Sequence, residues 1–338
     1  MNNYPIPNII LTSWNALEFT QFTIDSLRKY TTVPYYLTVV DNGSGSEVIN
    51  YLKSIKADGY LKDVKLILNK KNLGPGKAFS QGIDARDSDY FCLINNDIAL
   101  SENWLQKLFA NIQTDDKIGL LGTLRPATFV KHPFTNKSAK EVVQSLETEN
   151  LTPAEELNAF CMGISYDEFV NKIIEVNDTG LIVYNDLPFH VVTCCVIGRN
   201  SIIQEIGGIA DPIFTTYGSE DTDVSWRLVS NGYKFAVATD VYIHHFKHKS
   251  LKANKVNRDL VLKVSNSKFF LKWEKVIKDF LLRMDVERGN IADIMENKEY
   301  EDFWFLRRLN EDIKFWVDND WNPQSHQIAV DYLENIKL

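Results

Sequence analysis

Four clusters in this sequence combine residue types and spacings suited to chemistry. They are Asp41-Asn42-Gly43-Ser44, Asn95-Asn96-Asp97, Glu220-Asp221-Thr222-Asp223, and His244-His245 with His248. Carboxylate oxygens bind hard cations, and an ionised carboxylate can accept a proton from a substrate. Imidazole nitrogens can complete the ligand shell of a metal ion. The clusters therefore predict a site that combines cation binding with general base catalysis.

The first two clusters follow short apolar runs that are typical of buried strands. The runs are Asn8 to Ser13, Tyr36 to Val40, Val64 to Leu68, Tyr90 to Ile94 and Ile118 to Leu121. Between them, apolar residues recur at helical spacing, which predicts a β-α-β order and a parallel sheet covered on both faces. Ligands bind beyond the carboxyl ends of such strands. We therefore expect four polar tips to converge at one edge: 12–15, 41–44, 69–72 and 95–97.

The second half of the chain is less regular. Residues 122–189 interrupt the pattern and are interpreted as an insertion, in which Thr152 caps a helix that begins at Pro153. The pattern returns in the apolar run 191–198. A helix is predicted around 202–206 and another over about 220–231, strands near 233–237 and 241–244, and helices from about Asn257 to the end.

Composition excludes several classes of protein. The chain has 338 residues, 44% of them hydrophobic, enough for a core in about two domains. The net charge of −8, without a basic run, argues against nucleic acid as a partner. The absence of a long apolar run and of a signal-like start predicts no transmembrane segment and a cytoplasmic location, and the four cysteines, without a C-x-x-C pair, fit a reducing compartment.

Three familiar functional-site motifs are not matched by this sequence. In Gly74-Pro75-Gly76-Lys77, the surrounding residues do not complete a phosphate-binding loop, because Lys71 and Ala78 stand where that loop needs Gly and Ser or Thr. A G-x-G-x-x-G motif is absent after the first strand. The histidine cluster lacks nearby Cys and the H-E-x-x-H order of a zinc site. The protein is therefore predicted to be neither a P-loop NTPase nor an ordinary NAD enzyme.

The combined motifs resemble the family 2 inverting glycosyltransferases with the GT-A fold, and within them the rhamnosyltransferase-like branch acting on bacterial surface glycans. The motifs are Ile9 to Asn15, Val39 to Ser44, Asn69 to Gly74 with Gly82, Leu93 to Asp97, Gly207-Gly208, Glu220 to Asp223 with Arg227, Gly232-Tyr233, His244-His245, and Lys272-Trp273. The resemblance covers about residues 8–275. It implies a Rossmann-like α/β domain with a mostly parallel sheet over 1–275, in which the insertion at 122–189 lies on the acceptor side. Residues 276–338, beyond the resemblance, are predicted from their helical pattern to form a helical appendage.

The resemblance also implies roles for individual residues. Asp97 and His244 would hold Mn²⁺ or Mg²⁺, with Asn95-Asn96-Asp97 in place of the family's D-x-D motif. Asp221 would be the general base and Glu220 would help to hold the acceptor. The residues expected to bind the UDP or dTDP donor are Thr12, Trp14, Asn15, Asp41, Asn69, Asn72, Gly74, Lys77, Asn95 and Asn96, with Asp41 accepting from the base. Thr193 and Cys194 are expected to line the acceptor site.

Each role has a purely structural alternative. Asp41 could form an Asx-turn, and Asn95 to Asp97 could cap a helix. Acidic residues at the start of a helix are favoured by its dipole, and Asp223 is expected to serve structure. Lys247, Lys249 and Lys252 could close over a diphosphate or lie in solvent.

These roles predict transfer of a sugar, hexosyl or rhamnosyl, from a UDP- or dTDP-sugar to a hydroxyl of a glycan or lipid-linked glycan. Two rivals remain: a non-catalytic binding module with a degraded D-x-D, favoured by Asn95, and a sugar nucleotidyltransferase, which would need a basic Gly-rich loop after the first strand. In the appendage, an apolar stripe predicts a homodimer; it comprises Phe303, Leu306, Leu309, Ile313, Trp316 and Val317. Peripheral attachment to the inner face of a membrane stays open.

Overall fold

The computed structural model describes residues 5–147, 149–283 and 331. The strands among them are β1 Asn8–Ser13, β2 Tyr35–Asp41, β3 Leu61–Leu68, β4 Tyr90–Asn95, β5 Ile98–Ala99, β6 Ile118–Leu124, β7 Leu181–Tyr184, β8 Cys195–Arg199, β9 Lys234–Tyr242 and β10 His244–His245. The helices are α1 Leu17–Tyr30, α2 Ser46–Ser54, α3 Pro75–Asp84, α4 Trp104–Ile112, α5 Ala139–Leu146, α6 Pro153–Phe160, α7 Tyr166–Asn177, α8 Asn200–Glu205, α9 Glu220–Ser230, α10 Lys249–Ala253 and α11 Arg258–Arg283.

Eight strands form one sheet in the order β3-β2-β1-β4-β8-β6-β9-β7. Strands β3, β2, β1 and β4 are parallel neighbours, whereas β8 runs antiparallel between β4 and β6. The register pairs Ser13 with Asp41 and Thr12 with Asn95, so the polar strand ends lie in a row. The predicted mostly parallel sheet is confirmed. Its strand order reverses between β1 and β4, where ligands bind in open α/β sheets.

Alternating side chains of the central strands build a core on each face of the sheet. Ile9 and Leu11 join the core formed with α1, α2 and α4, whereas Ile10 faces the core formed with α3, α8 and α9. The packing of α3 on β1 is close enough to require glycine, because a Cβ at Gly82 would lie 2.3 Å from Cγ2 of Ile10. The two helix-covered faces hold the strand ends rigidly at the edge.

The predicted insertion forms a third core from α5, α6 and α7, with Tyr242 and Phe246 of the main domain. Thr152 caps α6 as predicted, and its capping box is completed by Glu155. The sequence analysis missed β7, which extends the sheet beside β9. It was also wrong to separate strands at 233–237 and 241–244, since β9 runs unbroken from Lys234 to Tyr242.

The short strand β10 leaves the main sheet and pairs antiparallel with β5, which places His245 opposite Ile98. Helix α11 confirms the helix predicted from about Asn257 as far as Arg283, and it continues through the predicted boundary at 275. The apolar stripe from Phe303 to Val317 lies outside the described residues, as does the predicted dimer contact. In the described part of the chain, no helix is both long and apolar enough to cross a membrane.

Candidate active site

Asp41 lies buried at the end of β2 and uses its two carboxylate oxygens differently. Oδ2 accepts hydrogen bonds from the backbone N–H groups of Gly43 at 3.1 Å and Ser44 at 3.0 Å, which is the Asx-turn alternative. Oδ1 is buried and has no hydrogen-bond partner among the described residues. A buried acceptor without a partner costs free energy that a ligand's N–H group can recover. The turn therefore leaves one oxygen available for a ligand.

The neighbouring Asn42 organises the loop that follows β3. Its Nδ2 donates to Asn72 Oδ1 at 2.9 Å and to the Gly74 carbonyl at 3.1 Å, while its Oδ1 accepts from the Leu73 N–H at 3.1 Å. Asn69 donates to Asn42 Oδ1 at 3.2 Å and exchanges hydrogen bonds with Gln81. The side-chain amides of Asn69 and Asn72 were predicted to contact the donor. In the structure they make hydrogen bonds that stabilise the loop after β3.

Gly74 joins this loop to α3 and to the segment leading to α9. Its φ of +83° lies in the region that favours glycine, and a Cβ there would lie 2.7 Å from the Thr215 carbonyl oxygen. The backbone at Gly74 is therefore fixed against the 215–219 segment. Lys77, in the first turn of α3, is exposed.

The loop after β1 is covered by the segment after α10. Asn15 accepts from the Gly45 N–H at 2.9 Å and donates to Asn254 Oδ1 at 2.5 Å, while Asn254 donates to the Trp14 carbonyl at 3.2 Å. Thr12, half-buried, lies between these residues and the end of β4. Trp14 and Asn15 are thus brought to the predicted edge, with Asn254 as an unpredicted neighbour.

Asp97 lies beside His245. The distance from His245 Nε2 to Asp97 Oδ1 is 3.2 Å, and Asn95 Nδ2 lies 3.4 Å from the same nitrogen. Burial would lower the pKa of His245, but the Asp97 carboxylate and the Cys194 thiol raise it to about 9. Burial likewise opposes ionisation of Asp97, but His245 and the Lys249 N–H outweigh it and lower the pKa of that carboxyl. The pairing of β5 with β10 creates this contact.

His244, predicted as the metal ligand, occupies a different environment. It is buried in an aromatic pocket with ring centroids 4.4 Å from Phe160 and 4.8 Å from Phe246. Neither ring nitrogen has a hydrogen-bond partner among the described residues, and burial lowers the pKa of the imidazole well below its usual value. The geometry therefore places His245, and not the predicted His244, in contact with Asp97, because alternate strand residues point to opposite faces.

The Asp97–His245 contact is that of a hydrogen-bonded ion pair, and an imidazole that releases its proton leaves the two side chains spaced to hold a divalent cation. Two neighbouring ligands of an octahedral cation with bonds of about 2.1 Å lie about 3 Å apart, close to the observed 3.2 Å. No group of three or more His, Cys, Asp or Glu side chains suited to a metal occurs among the described residues. The protein would thus supply two ligands, with other oxygens completing the shell.

Helix α10 closes one side of this pair. The Lys249 N–H donates to Asp97 Oδ2 at 3.3 Å, and its buried ammonium lies 2.5 Å from Glu156 Oε2. Asn96 accepts from Ser250 Oγ at 3.1 Å and donates to Thr20 Oγ1 at 2.9 Å. The Asn96 amide therefore links α10 to α1 through its hydrogen bonds. Lys249 is buried in an ion pair, so it is neither a mobile lid residue nor a solvated one.

The acidic start of α9 divides into two parts. Asp223 is buried among cations and donors: Arg227 Nε lies at 2.8 Å, Lys272 Nζ at 2.6 Å and Trp273 Nε1 at 2.8 Å. This environment agrees with the structural role expected for Asp223. It also explains why Lys272-Trp273 of α11 belongs with the catalytic domain.

Glu220 and Asp221 have no such cation partner in the described part of the chain. Glu220 is 7% exposed, and its Oε2 is buried without a hydrogen-bond partner among the described residues. Burial, aided by the charge of Asp221, raises the pKa of Glu220 to about 8. Asp221 is partly exposed and accepts from the Thr222 N–H at 2.8 Å through Oδ1. A carboxyl that keeps its own proton at neutral pH cannot accept another, which leaves Asp221 as the candidate base.

Tyr217 lies just before α9 and is absent from the predicted site residues. Burial raises the pKa of its hydroxyl, and the carboxyl groups of Glu220, Asp221 and Asp97 act in the same direction. The start of α9 lies against the start of α3, because a Cβ at Gly76 would lie 4.0 Å from the Cβ of Glu220. A tyrosine three residues before an acidic pair carries no signal that the sequence alone could identify.

The predicted acceptor residues lie below the Asp97–His245 pair. Thr193 and Cys194 are both buried, and the Cys194 carbonyl accepts from the Asn95 N–H at 2.9 Å. Burial would raise the pKa of the Cys194 thiol, but His245, which hydrogen-bonds with it, lowers it. Cys194 is thus a neighbour of the candidate cation site.

Comparison with known proteins supports this interpretation. The sequence model "Glycosyl transferase family 2" matches residues 8–170. A Haemophilus influenzae protein named "Uncharacterized glycosyltransferase" is 27% identical over 124 residues, which cover 36% of this chain and 38% of the relative. The pre-mycofactocin glycosyltransferase of Mycobacterium tuberculosis is 21% identical over 207 residues, which cover 61% of this chain and 36% of the relative. The chain thus matches less than two fifths of either relative's length.

Among solved structures, the mannosyltransferase PcManGT of Pyrobaculum calidifontis, in complex with GDP-Man and Mn²⁺, matches with a TM-score of 0.52 and 11% identity. The match covers 100% of this chain and 77% of that chain. Together with the sheet and its polar edge, this likeness defines the GT-A glycosyltransferase fold. The match over residues 8–170 relates this part of the chain to glycosyltransferase family 2.

Proposed function

We propose that this protein is a metal-dependent inverting glycosyltransferase that moves a sugar from a UDP- or dTDP-sugar to an acceptor hydroxyl. The observation that carries the proposal is the gathering of three features at the carboxyl edge of the sheet. They are the buried Asp41 Oδ1 that has no partner among the described residues, the Asp97–His245 pair 3.2 Å apart, and the acidic first turn of α9, which lies against the start of α3. Asp97 lies 3.2 Å from a histidine nitrogen, and Asp221 is the base that we propose. The family match and the Mn²⁺ and nucleotide sugar of the Pyrobaculum enzyme support the same chemistry.

Asp41 would recognise the base of the donor. The N3–H of uracil or thymine needs an acceptor, and the unpaired Oδ1 of Asp41 supplies one. Asp97 and His245 would hold the cation, with Mn²⁺ or Mg²⁺ suited to the oxygen and nitrogen donors. When bound, the cation would stabilise the charge that develops on the departing diphosphate.

Asp221 would take the proton of the acceptor hydroxyl. The acceptor oxygen then attacks the anomeric carbon from the face opposite the diphosphate, and the bond from that carbon to the diphosphate oxygen breaks. A single displacement of this kind inverts the anomeric configuration without a protein nucleophile. Glu220, protonated and buried, would donate a hydrogen bond to the acceptor or hold Asp221 in place.

The finer assignments are inferred from the sequence. From the resemblance we infer a hexosyl or rhamnosyl donor and a role in bacterial surface glycan synthesis. From the lack of a long apolar run we infer a cytoplasmic enzyme, and from the apolar stripe between Phe303 and Val317 a homodimer. Residues 122–189, which include the carboxyl end of β6 and the helices α5 to α7 that follow it, would select the acceptor.

The test compares two substitutions one residue apart. With a panel of UDP-, dTDP- and GDP-sugars and Mn²⁺, Asp221→Asn should lose about 10²- to 10⁴-fold in turnover, the usual contribution of a general base. Glu220→Gln is the matched control: because the native carboxyl is already neutral, the loss should be much smaller. Wild-type-like turnover in Asp221→Asn would reassign the base.

The same panel separates the rivals. A non-catalytic module would bind a nucleotide sugar without releasing sugar or nucleotide, with or without Mn²⁺. A sugar nucleotidyltransferase would instead form pyrophosphate from a nucleoside triphosphate and a sugar phosphate.

A further inference from the structure

A hairpin of residues 130–139 follows β6 at the same edge of the sheet as the candidate active site. Strand β6 is parallel to β4, because both run antiparallel to β8, so their carboxyl ends share an edge. The hairpin is closed by the Ala139 N–H donating to the Val130 carbonyl at 2.7 Å and the His132 N–H donating to the Lys137 carbonyl at 3.2 Å. It is thus an ordered structure beside the site.

The hairpin is also fastened to the insertion. Asn177 of α7 accepts from the Lys131 N–H at 2.8 Å and donates to the Lys131 carbonyl at 2.9 Å. His132 is buried between Phe160 and Phe169, with its Nε2 2.9 Å from the Phe160 carbonyl. Because the hairpin is anchored on one side, its other side is presented in a fixed orientation.

Large apolar side chains are exposed on and near the hairpin. Phe129 is 60% exposed, Phe134 at the tip is 47% exposed, and Met162 after α6 is 49% exposed. The Phe134 ring centroid lies 6.0 Å from that of Phe169, so this side chain is supported from beneath and open above. Large apolar side chains exposed on an anchored hairpin are candidates for an interaction surface.

The stretch of sequence that carries Phe129 and Phe134 has charged residues of one sign. Between Asp116 and Glu141 the sequence contains no acidic residue, although the chain as a whole carries a net charge of −8. The same stretch has five basic residues: Lys117, Arg125, Lys131, Lys137 and Lys140. Lys131 and Lys137 are exposed on either side of the Phe134 tip. The next carboxylate, Glu141, is engaged in a capping box with Ser138.

We propose that Phe129, Phe134, Lys131 and Lys137 form a membrane-contact surface that binds the anionic face of a lipid bilayer. Phenyl rings enter the interface between headgroups and acyl chains, and lysines are attracted to anionic lipid headgroups. The surface would bring the acceptor side of the site to the bilayer, where a lipid-linked glycan is presented. That orientation rests on the proposed function, whereas membrane binding does not.

The experiment measures sedimentation of the full chain with vesicles, without any sugar transfer, so that its failure is distinguishable from failure of the proposed function. Vesicles of phosphatidylcholine alone are compared with vesicles that contain about 30% phosphatidylglycerol. We expect binding to the anionic vesicles, weakened by salt, and much less to the neutral ones.

Two double variants test the two components. Phe129→Ser/Phe134→Ser and Lys131→Glu/Lys137→Glu should each lower binding to anionic vesicles by on the order of tenfold or more. The matched controls are exposed residues elsewhere: Tyr60→Ser, and Lys53→Glu/Lys56→Glu. Thermal unfolding of each variant verifies that it is folded.

The proposal is overturned if the wild type fails to bind anionic vesicles or binds neutral vesicles equally well. It is also overturned if the hairpin variants bind as the wild type does, or if the control variants lose as much. Binding of a soluble acidic polysaccharide without vesicle binding would assign the surface to a glycan instead.

Discussion

Two groups of carboxylates lie within one turn of α9, and their environments differ completely. Asp223 is surrounded by Arg227, Lys272 and the Trp273 N–H, whereas Glu220 and Asp221 have no cation partner among the described residues. Both groups benefit from the helix dipole, so the dipole does not explain the difference. Asp223, whose charge is balanced by cations, links α9 to α11. Glu220 and Asp221, whose charges are not balanced in this way, are available to a ligand.

The same distinction separates residues elsewhere at the edge of the sheet. The side-chain amides of Asn42, Asn69 and Asn72 are joined by hydrogen bonds. Asp41 Oδ1, in contrast, has no hydrogen-bond partner among the described residues. Buried polar groups without partners are costly, so their retention at one edge indicates a ligand.

The largest effect on stability is expected at the compensated carboxylate. Asp223→Ala would leave Arg227 and Lys272 without their counter-charge and should cost about 3 to 5 kcal/mol in the free energy of unfolding. Denaturant unfolding measures the loss. Asp63→Ala, which breaks an exposed pair with Arg86, is the control and should cost no more than about 1 kcal/mol. Equal losses would remove the distinction between the two groups.

A smaller effect on binding is expected at Asp41. Asp41→Asn can still accept the two turn hydrogen bonds, but its amide N–H₂ would face the N3–H of uracil. Affinity for UDP, measured by calorimetry, should fall about 10- to 150-fold, the range for a hydrogen bond to a charged group. Asp63→Asn should bind as the wild type does. Unchanged UDP affinity in Asp41→Asn would reduce Asp41 to a turn residue.

A further effect, which is confined to one pH range, is the pH dependence of stability that Glu220 contributes. The folded protein keeps the Glu220 proton up to about pH 8, whereas an unfolded chain releases it near 4.5. Between these values the folded state binds more protons, so this contribution to stability is lost as pH rises. Glu220→Gln removes the titration.

Thermal unfolding at pH 5 and pH 8 measures this contribution. As pH increases, the melting temperature of Glu220→Gln should rise relative to that of the wild type. The expected change is roughly 2 to 4 °C for each kcal/mol of stability that the wild type loses. A difference between the two proteins that is equal at both pH values would show that Glu220 is ionised throughout.

Much of this arrangement could be predicted from the sequence because it depends on local patterns. The apolar spacing of Thr20, Ile24 and Leu27 marks the buried face of α1, and the residues after β1, β2 and β4 were correctly expected at one edge. Similarly, Thr152 as the N-cap and Pro153 as the first helical residue correctly predict the start of α6.

The errors arise where distant segments meet. Whether His244 or His245 faces Asp97 depends on the pairing of β10 with β5, about 150 residues earlier in the chain, and a shift of one residue reverses the faces. The structural use of Asn69 and Asn96 could not be predicted either, since their partners Gln81 and Ser250 carry no local signal. Tyr217 and the exposed hairpin were missed for the same reason.

The most direct test of the account measures Mn²⁺-dependent binding of UDP by calorimetry in the wild type, His245→Ala and His244→Phe. His245 lies 3.2 Å from Asp97, whereas His244 is enclosed by Phe160 and Phe246, where a phenyl ring can replace it. The account predicts that His245→Ala weakens the Mn²⁺-dependent binding at least about tenfold, as loss of a metal ligand should. His244→Phe should bind nearly as the wild type does. The opposite result, with His244→Phe impaired and His245→Ala unaffected, would contradict the assignment of the cation site.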